Sequence, residues 1–158
     1  RLHTLAAVGS TGQAELGRPR QGPTDADVLG LGAAPGPVET AARLDALSSL
    51  LSRSGTTPAV VIAAIVHAEL VVLRPFGVAD GLVARAAERL TLVEYGLDPK
   101  SLIAVEVGHL ELSDAYVGGL RAYLNGTRDG VAAWIRHVAS AVVLGAREST
   151  AICEAMSR

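Results

Sequence analysis

The sequence predicts an all-α fold with a small β-hairpin. Apolar residues recur at helical spacing from Val38 onward, and 49% hydrophobic residues in a chain of 158 are enough for a packed core. Aromatic residues make up only 3%, so the core is built from Ala, Val, Leu and Ile, which suits closely packed helices. Residues 9–37 are dense in Gly and Pro instead, which predicts turns, short strands or a hairpin with arms at 14–20 and 27–31.

We therefore expect one domain over residues 1–158, with a hairpin flap at 9–37 and a helical core at 38–158. The chain starts with Arg1 rather than Met, and we expect a further N-terminal portion before it.

The first core helix is predicted from Val38 to about Ser54-Gly55. Thr57 is then expected to cap a second helix, with Pro58 in its first position. The run 59–73 is apolar nearly all round, as in a central helix packed on several sides. Its β-branched residues would also permit a buried strand, but its length and its Thr-Pro start favour a helix.

Pro75 should end that helix, and Asp80 should cap the next, over 81–95. The stripe predicted to be buried in this third helix is Leu82, Val83, Ala86, Leu90 and Val93. A fourth helix is predicted from Ser113 or Asp114 to Leu124. Thr127 or Asp129 should cap a long last helix that directs Trp134, Ile135, Val138 and Val142 inward.

Composition excludes several functions. A net charge of −2 gives no basic footprint for nucleic acid. The apolar run 59–73 is interrupted by His67 and Glu69 and falls short of the about 20 residues of a membrane span. With no signal peptide, the expected location is cytoplasmic.

No metal site is predicted, because the other three histidines (His3, His109 and His137) lack ligand spacing and His67 fits a hydrogen-bonded core histidine.

The loop between the second and third predicted helices is the candidate functional site. It contains Gly77 and Gly81 and leads into a helix N-terminus, where backbone N–H groups and the helix dipole favour an anion. Arg74 and Arg85 flank it. The sequence therefore predicts an anion site formed by Arg74, Gly77, Asp80, Gly81 and Arg85.

This loop resembles the signature His-Pro-Phe-x-Asp/Glu-Gly-Asn-Gly-Arg-x-x-Arg of the Fic/Doc domain family. The positions that match are Pro75, Phe76, Gly81 and Arg85. The positions that differ are Arg74 for the histidine, Val78 for the acid, Ala79 for the first glycine, Asp80 for the asparagine and Leu82 for the first arginine. The order of the other elements also resembles the family, including His67 seven residues before Arg74, so a Fic-like helical bundle is expected.

The resemblance implies a nucleotide transferase that has lost its usual chemistry. In the family the histidine is the general base, the acid holds Mg²⁺ and the remaining residues grip the phosphates. Arg74 cannot accept a proton near neutral pH, and Val78 cannot bind a hard cation. We expect a protein impaired in AMP transfer that binds ATP, another nucleotide or another phosphorylated ligand without Mg²⁺. A regulated partner protein and a homodimer are further expectations.

Three alternatives remain open at this stage. The loop is vestigial, with Arg74 and Arg85 paired to local acids such as Asp80 or Glu88. The protein is an active transferase of altered chemistry, with Asp80 as the base. The chain is an interaction module whose flap binds an extended segment by strand addition.

The family also has an inhibitory helix of the form Ser/Thr-x-x-x-Glu-Gly/Asn. Thr150 and Glu154 in the last helix resemble it without the final Gly or Asn. The resemblance implies that Glu154 pairs with Arg85.

Overall fold

The structure is a computed structural model and describes residues 1–53 and 55–157. These residues form helices and connecting turns and contain no β-strand. The helices are α1 (Leu2–Ala6), α2 (Pro37–Arg53), α3 (Ala59–Leu73), α4 (Asp80–Glu94), α5 (Val105–Glu111), α6 (Ser113–Leu124) and α7 (Arg128–Met156). The all-α prediction is confirmed, and within the described ranges every helix is too short or too polar to cross a bilayer.

Helix α3 lies at the centre and packs against α2, α4, α6 and α7. Its residues from Ile62 onward are almost all buried, as the continuous apolar run predicted. Trp134 of α7 is fully buried, and its indole N–H donates to the backbone carbonyl of Ala64 at 2.7 Å. The core therefore forms around α3, and the C-terminal end of that helix leads into the loop of residues 74–80.

The predicted helix starts and stops are mostly confirmed. Thr127 caps α7 by accepting a hydrogen bond from the N–H of Gly130 at 3.1 Å. Pro58 lies at the N-cap of α3 rather than in its first turn, and the Thr57 side chain makes no capping bond there. The predicted stop of α2 at Ser54 lies outside the described residues.

The hairpin prediction for residues 9–37 is wrong. The two expected arms form no ladder with each other; instead the N–H of Arg20 donates to the carbonyl of Pro75 at 2.8 Å. The Arg20 guanidinium also donates to the carbonyls of Leu73, Arg74 and Pro35. Side chains thus hold this segment as an irregular strap (residues 20–36) against the end of α3. The described residues therefore offer no hairpin edge to which a partner strand could add.

The buried face predicted for α4 is right only in part, since Val83 is buried as expected. Leu82 and Leu90 are about half exposed, at 48% and 54%. The buried face carries Asp80, Val83, Ala84, Glu88, Thr91 and Leu92. Three of these side chains are polar, so a stripe defined by apolar residues alone selected the neighbouring face.

Candidate functional site

A cavity of about 750 Å³ opens between the 74–80 loop, the first turns of α4, the strap, and helices α5 and α6. All five residues predicted for the anion site line it, namely Arg74, Gly77, Asp80, Gly81 and Arg85. Apolar side chains such as Leu31, Val71 and Val117 form much of the remaining wall. A few polar groups in an apolar cavity of this size are typical of a small-molecule site.

Arg74 is held by the strap. It ends α3 in the left-handed region (φ 45°), which turns its side chain out of the helix direction. Its guanidinium donates to the carbonyls of Ala26 at 2.6 Å and Gly32 at 2.7 Å, and lies 3.2 Å from the carboxylate of Asp27. Among the described residues, its buried Nε–H has no partner. Both terminal nitrogens of the Arg74 guanidinium are therefore bonded to other parts of the chain. The carboxylate that pairs with Arg74 is Asp27 rather than Asp80 or Glu88.

Asp80 fixes the loop rather than capping α4. It is the first residue of the helix, after Ala79 at φ 59°, and its Oδ1 accepts from the N–H of Phe76 at 2.9 Å. Only 8% of Asp80 is exposed. Burial raises the pKa of its carboxyl to about 6, although the amides of Phe76 and Gly77 and two nearby arginines oppose the rise.

Arg85 is the unpaired cation of the cavity. It is half-buried one turn into α4, and within residues 1–53 and 55–157 its guanidinium has neither a hydrogen bond nor an ion pair. Its Nη1 lies 3.5 Å from where a Cβ on Gly81 would be, so the guanidinium lies over the helix N-terminus. The N–H groups of residues 80–82 also have no acceptor in the described chain. Asp80 and Gly81 line the cavity, so their two amides and one guanidinium are available to an anion at this wall.

Glu154 lies in a different part of the surface. It is exposed near the end of α7 and lines a second groove with Ile103, Ser149 and Cys153. No ion pair joins it to Arg85, which lines the main cavity. The structure thus does not bring these two side chains together.

A buried polar network adjoins the same cavity and was not predicted. His67, Glu88 and His109 converge from α3, α4 and α5, with 0%, 0% and 6% exposure. The Glu88 carboxylate lies 2.5 Å from His67 Nδ1 and 3.0 Å from His109 Nε2. Sequence spacing gave no indication of this, because the histidines are more than forty residues apart and come together only in the folded bundle. The signal in the sequence that could have revealed this network was Glu88. It lies four residues from both Ala84 and Leu92 and therefore on the same, buried face of the helix.

The network has an outer pair of groups. His67 Nε2 lies 2.6 Å from the Tyr116 hydroxyl, and His109 Nδ1 lies 3.2 Å from His137 Nε2. The four contacts are consistent with two neutral imidazoles. His67 accepts from Tyr116, His109 accepts from His137, and each of the two rings donates its single N–H to Glu88. Burial disfavours the Glu88 anion, but the hydrogen bonds from His109 and His67 outweigh it and lower the pKa of Glu88 to about 2. One carboxylate is therefore held ionised in the core by two imidazoles.

No protein-family model, curated protein or solved structure matches this chain. The resemblance of the 74–85 loop to the Fic signature stays a prediction that depends on the residues of the loop and the order of the helices.

Proposed function

We propose that this chain is a degenerate Fic-like domain that binds a nucleotide or another phosphorylated ligand in the main cavity and is impaired in AMP transfer. Its role is then regulatory, with the liganded domain acting on a partner protein. The observation that carries the proposal is that, among the described residues, the Arg85 guanidinium and the N–H groups of Asp80 and Gly81 have no partner at the wall of a cavity large enough for a nucleotide.

The chemistry of this wall suits a phosphate. Backbone N–H groups at the first turn of α4 point along the helix axis, where the helix dipole is positive. Arg85 adds a planar fork that can bind two phosphate oxygens at once. The apolar residues across the cavity would then contact the uncharged part of the ligand.

Arg74 has a smaller part in this proposal than its position in the signature suggests. Both of its terminal nitrogens donate to the strap, so most of its N–H groups are already used within the chain. It cannot act as a base, and a positioned base typically supplies about 10²–10⁴-fold in rate. The residue at the acid position, Val78, has no side-chain oxygen with which to hold Mg²⁺, so ligand binding in this proposal does not use that ion.

The test is calorimetric titration of the protein with ATP in EDTA, and separately with pyrophosphate. The Arg85→Ala variant is compared with Arg136→Ala, which removes the same charge from an exposed site on α7. We expect saturable binding that falls at least about tenfold in Arg85→Ala and is unchanged in Arg136→Ala. Absence of binding by both probes, or equal loss in both variants, would overturn the proposal.

One observation favours a second candidate, an active transferase of altered chemistry. Asp80 lines the cavity and its pKa of about 6 is close to the working range of a general base. Incubation with labelled nucleotide and Mg²⁺ or Mn²⁺ tests this reaction. Label transfer that disappears in Asp80→Asn would establish it and would contradict the impaired-enzyme proposal.

A further inference from the structure

The buried polar network contains the donor set of a metal site. His67 Nδ1, a Glu88 carboxylate oxygen and His109 Nε2 all lie within 4.8 Å of one another. They come from three different helices, so the packing of the bundle and not a local turn brings them together. Two imidazoles and one carboxylate are a common set of protein ligands for Zn²⁺ and for Fe²⁺.

We propose that His67, Glu88 and His109 bind a divalent first-row transition-metal ion, independently of the phosphate ligand proposed above. Ligands at about 2.0–2.1 Å from one tetrahedral ion lie about 3.3 Å apart. The two nitrogens now lie 2.5 Å and 3.0 Å from Glu88 Oε2, so the carboxylate has to retreat by less than about 1 Å. The two imidazole centroids are 5.0 Å apart, close to the separation of two rings on one such ion.

The outer pair of groups fits this role. A histidine that binds a metal through one nitrogen usually donates its other N–H to an acceptor, which fixes the ring and its tautomer. Tyr116 lies 2.6 Å from the far nitrogen of His67, and His137 lies 3.2 Å from the far nitrogen of His109. On metal binding each neutral imidazole shifts its proton to that far nitrogen, the Tyr116 O–H turns away, and His137 moves its own proton from Nε2 to Nδ1, so that both outer groups accept and no net proton is released. Both acceptors are therefore already in place.

Three protein ligands leave a position open on the ion. His109 and Tyr116 line the main cavity, whereas His67 and Glu88 are fully enclosed. The open position is thus reached from the cavity by water or a small ligand, as in metal sites that act on substrates. Hard cations such as Mg²⁺ are disfavoured because two of the three ligands are imidazoles.

The experiment uses Zn²⁺ by calorimetry and Co²⁺ by visible absorption, with the chain in a Cys153→Ser background. That substitution removes the exposed thiol, which would bind either ion independently. We expect one ion per chain, a tetrahedral Co²⁺ spectrum, and loss of at least about 100-fold in affinity in Glu88→Gln. Absence of stoichiometric Zn²⁺ binding, or binding that survives Glu88→Gln, would overturn the proposal.

A milder pair of variants keeps the test valid if Glu88→Gln does not fold. Tyr116→Phe removes the acceptor of His67, and Tyr123→Phe removes a hydroxyl on the same helix that binds Glu69 instead. We expect Zn²⁺ affinity to fall by about 10–100-fold in Tyr116→Phe and to stay unchanged in Tyr123→Phe. Equal affinities in the two variants would show that the network is only structural.

Discussion

Nη1 of Arg74 lies 3.2 Å from Oδ1 of Asp27, so the side chain at the end of α3 is paired with the strap. The same guanidinium donates to the carbonyls of Ala26 and Gly32. Arg74 thereby couples the end of α3 to the segment that covers one side of the cavity. The contacts of Arg74 in this chain are therefore structural.

Arg74→Gln should release the strap. Without the guanidinium, two backbone carbonyls lose charged donors, and among the described residues Arg20 is the remaining side chain that hydrogen-bonds the strap to the end of α3. We expect the amides of Leu31 and Gly32 to exchange with solvent at least about tenfold faster, because hydrogen bonds to charged groups contribute about 1.5–3 kcal/mol each. Hydrogen-exchange mass spectrometry measures this. Exposed Arg136→Gln is the control, and equal exchange in both variants would contradict the strap contact.

Asp80→Asn should stabilise the protein at neutral pH. The folded pKa of about 6 lies above the ordinary 3.8, so the native state binds more protons between these values and the free energy of unfolding falls as pH rises through that window. At about 1.4 kcal/mol for each pH unit, the ionised carboxyl costs up to about 3 kcal/mol at neutral pH.

Asparagine keeps the oxygen that accepts from Phe76 but carries no charge. We expect urea unfolding of Asp80→Asn at neutral pH to show a gain of about 1–3 kcal/mol that vanishes near pH 4. Asp114→Asn, at an exposed acid in the first turn of α6, is the control. A gain of the same size at both ends of the pH range would contradict the buried-carboxylate explanation.

Gly108→Ala should separate two helices. A Cβ at Gly108 would lie 1.9 Å from the carbonyl oxygen of Ala141, so α5 and α7 could not keep their present contact. We expect a loss of more than about 2 kcal/mol of stability. Gly118→Ala on α6 meets nothing within 4 Å and should gain about 0.5–1 kcal/mol. Thermal unfolding compares the two, and similar Tm values would refute the close approach.

The long helices could be predicted from the sequence because their boundaries have local chemical causes. Pro75 cannot continue α3, and Thr127 offers the side-chain oxygen that begins α7. Helix α5 was not predicted, since seven residues with Gly108 inside give too little periodicity. It forms because Gly108 lets it pack closely against α7, a cause located in a distant part of the chain.

The candidate site was predictable only in part. The loop from Arg74 to Arg85 is continuous in sequence, and the structure places all five predicted residues around one cavity. The pairing of Arg74 with the strap could not be predicted, because the strap lies more than forty residues away in the sequence. The network around Glu88 was missed for the same reason, since helices distant in sequence supply its histidines.

The most direct measurement is a crystal structure of the protein grown with saturating ATP. The proposed function predicts phosphate oxygens within about 3.2 Å of the Arg85 guanidinium and of the N–H groups of Asp80 and Gly81, with the base against the apolar wall. A cavity without nucleotide under these conditions, or nucleotide bound away from Arg85, would contradict the account.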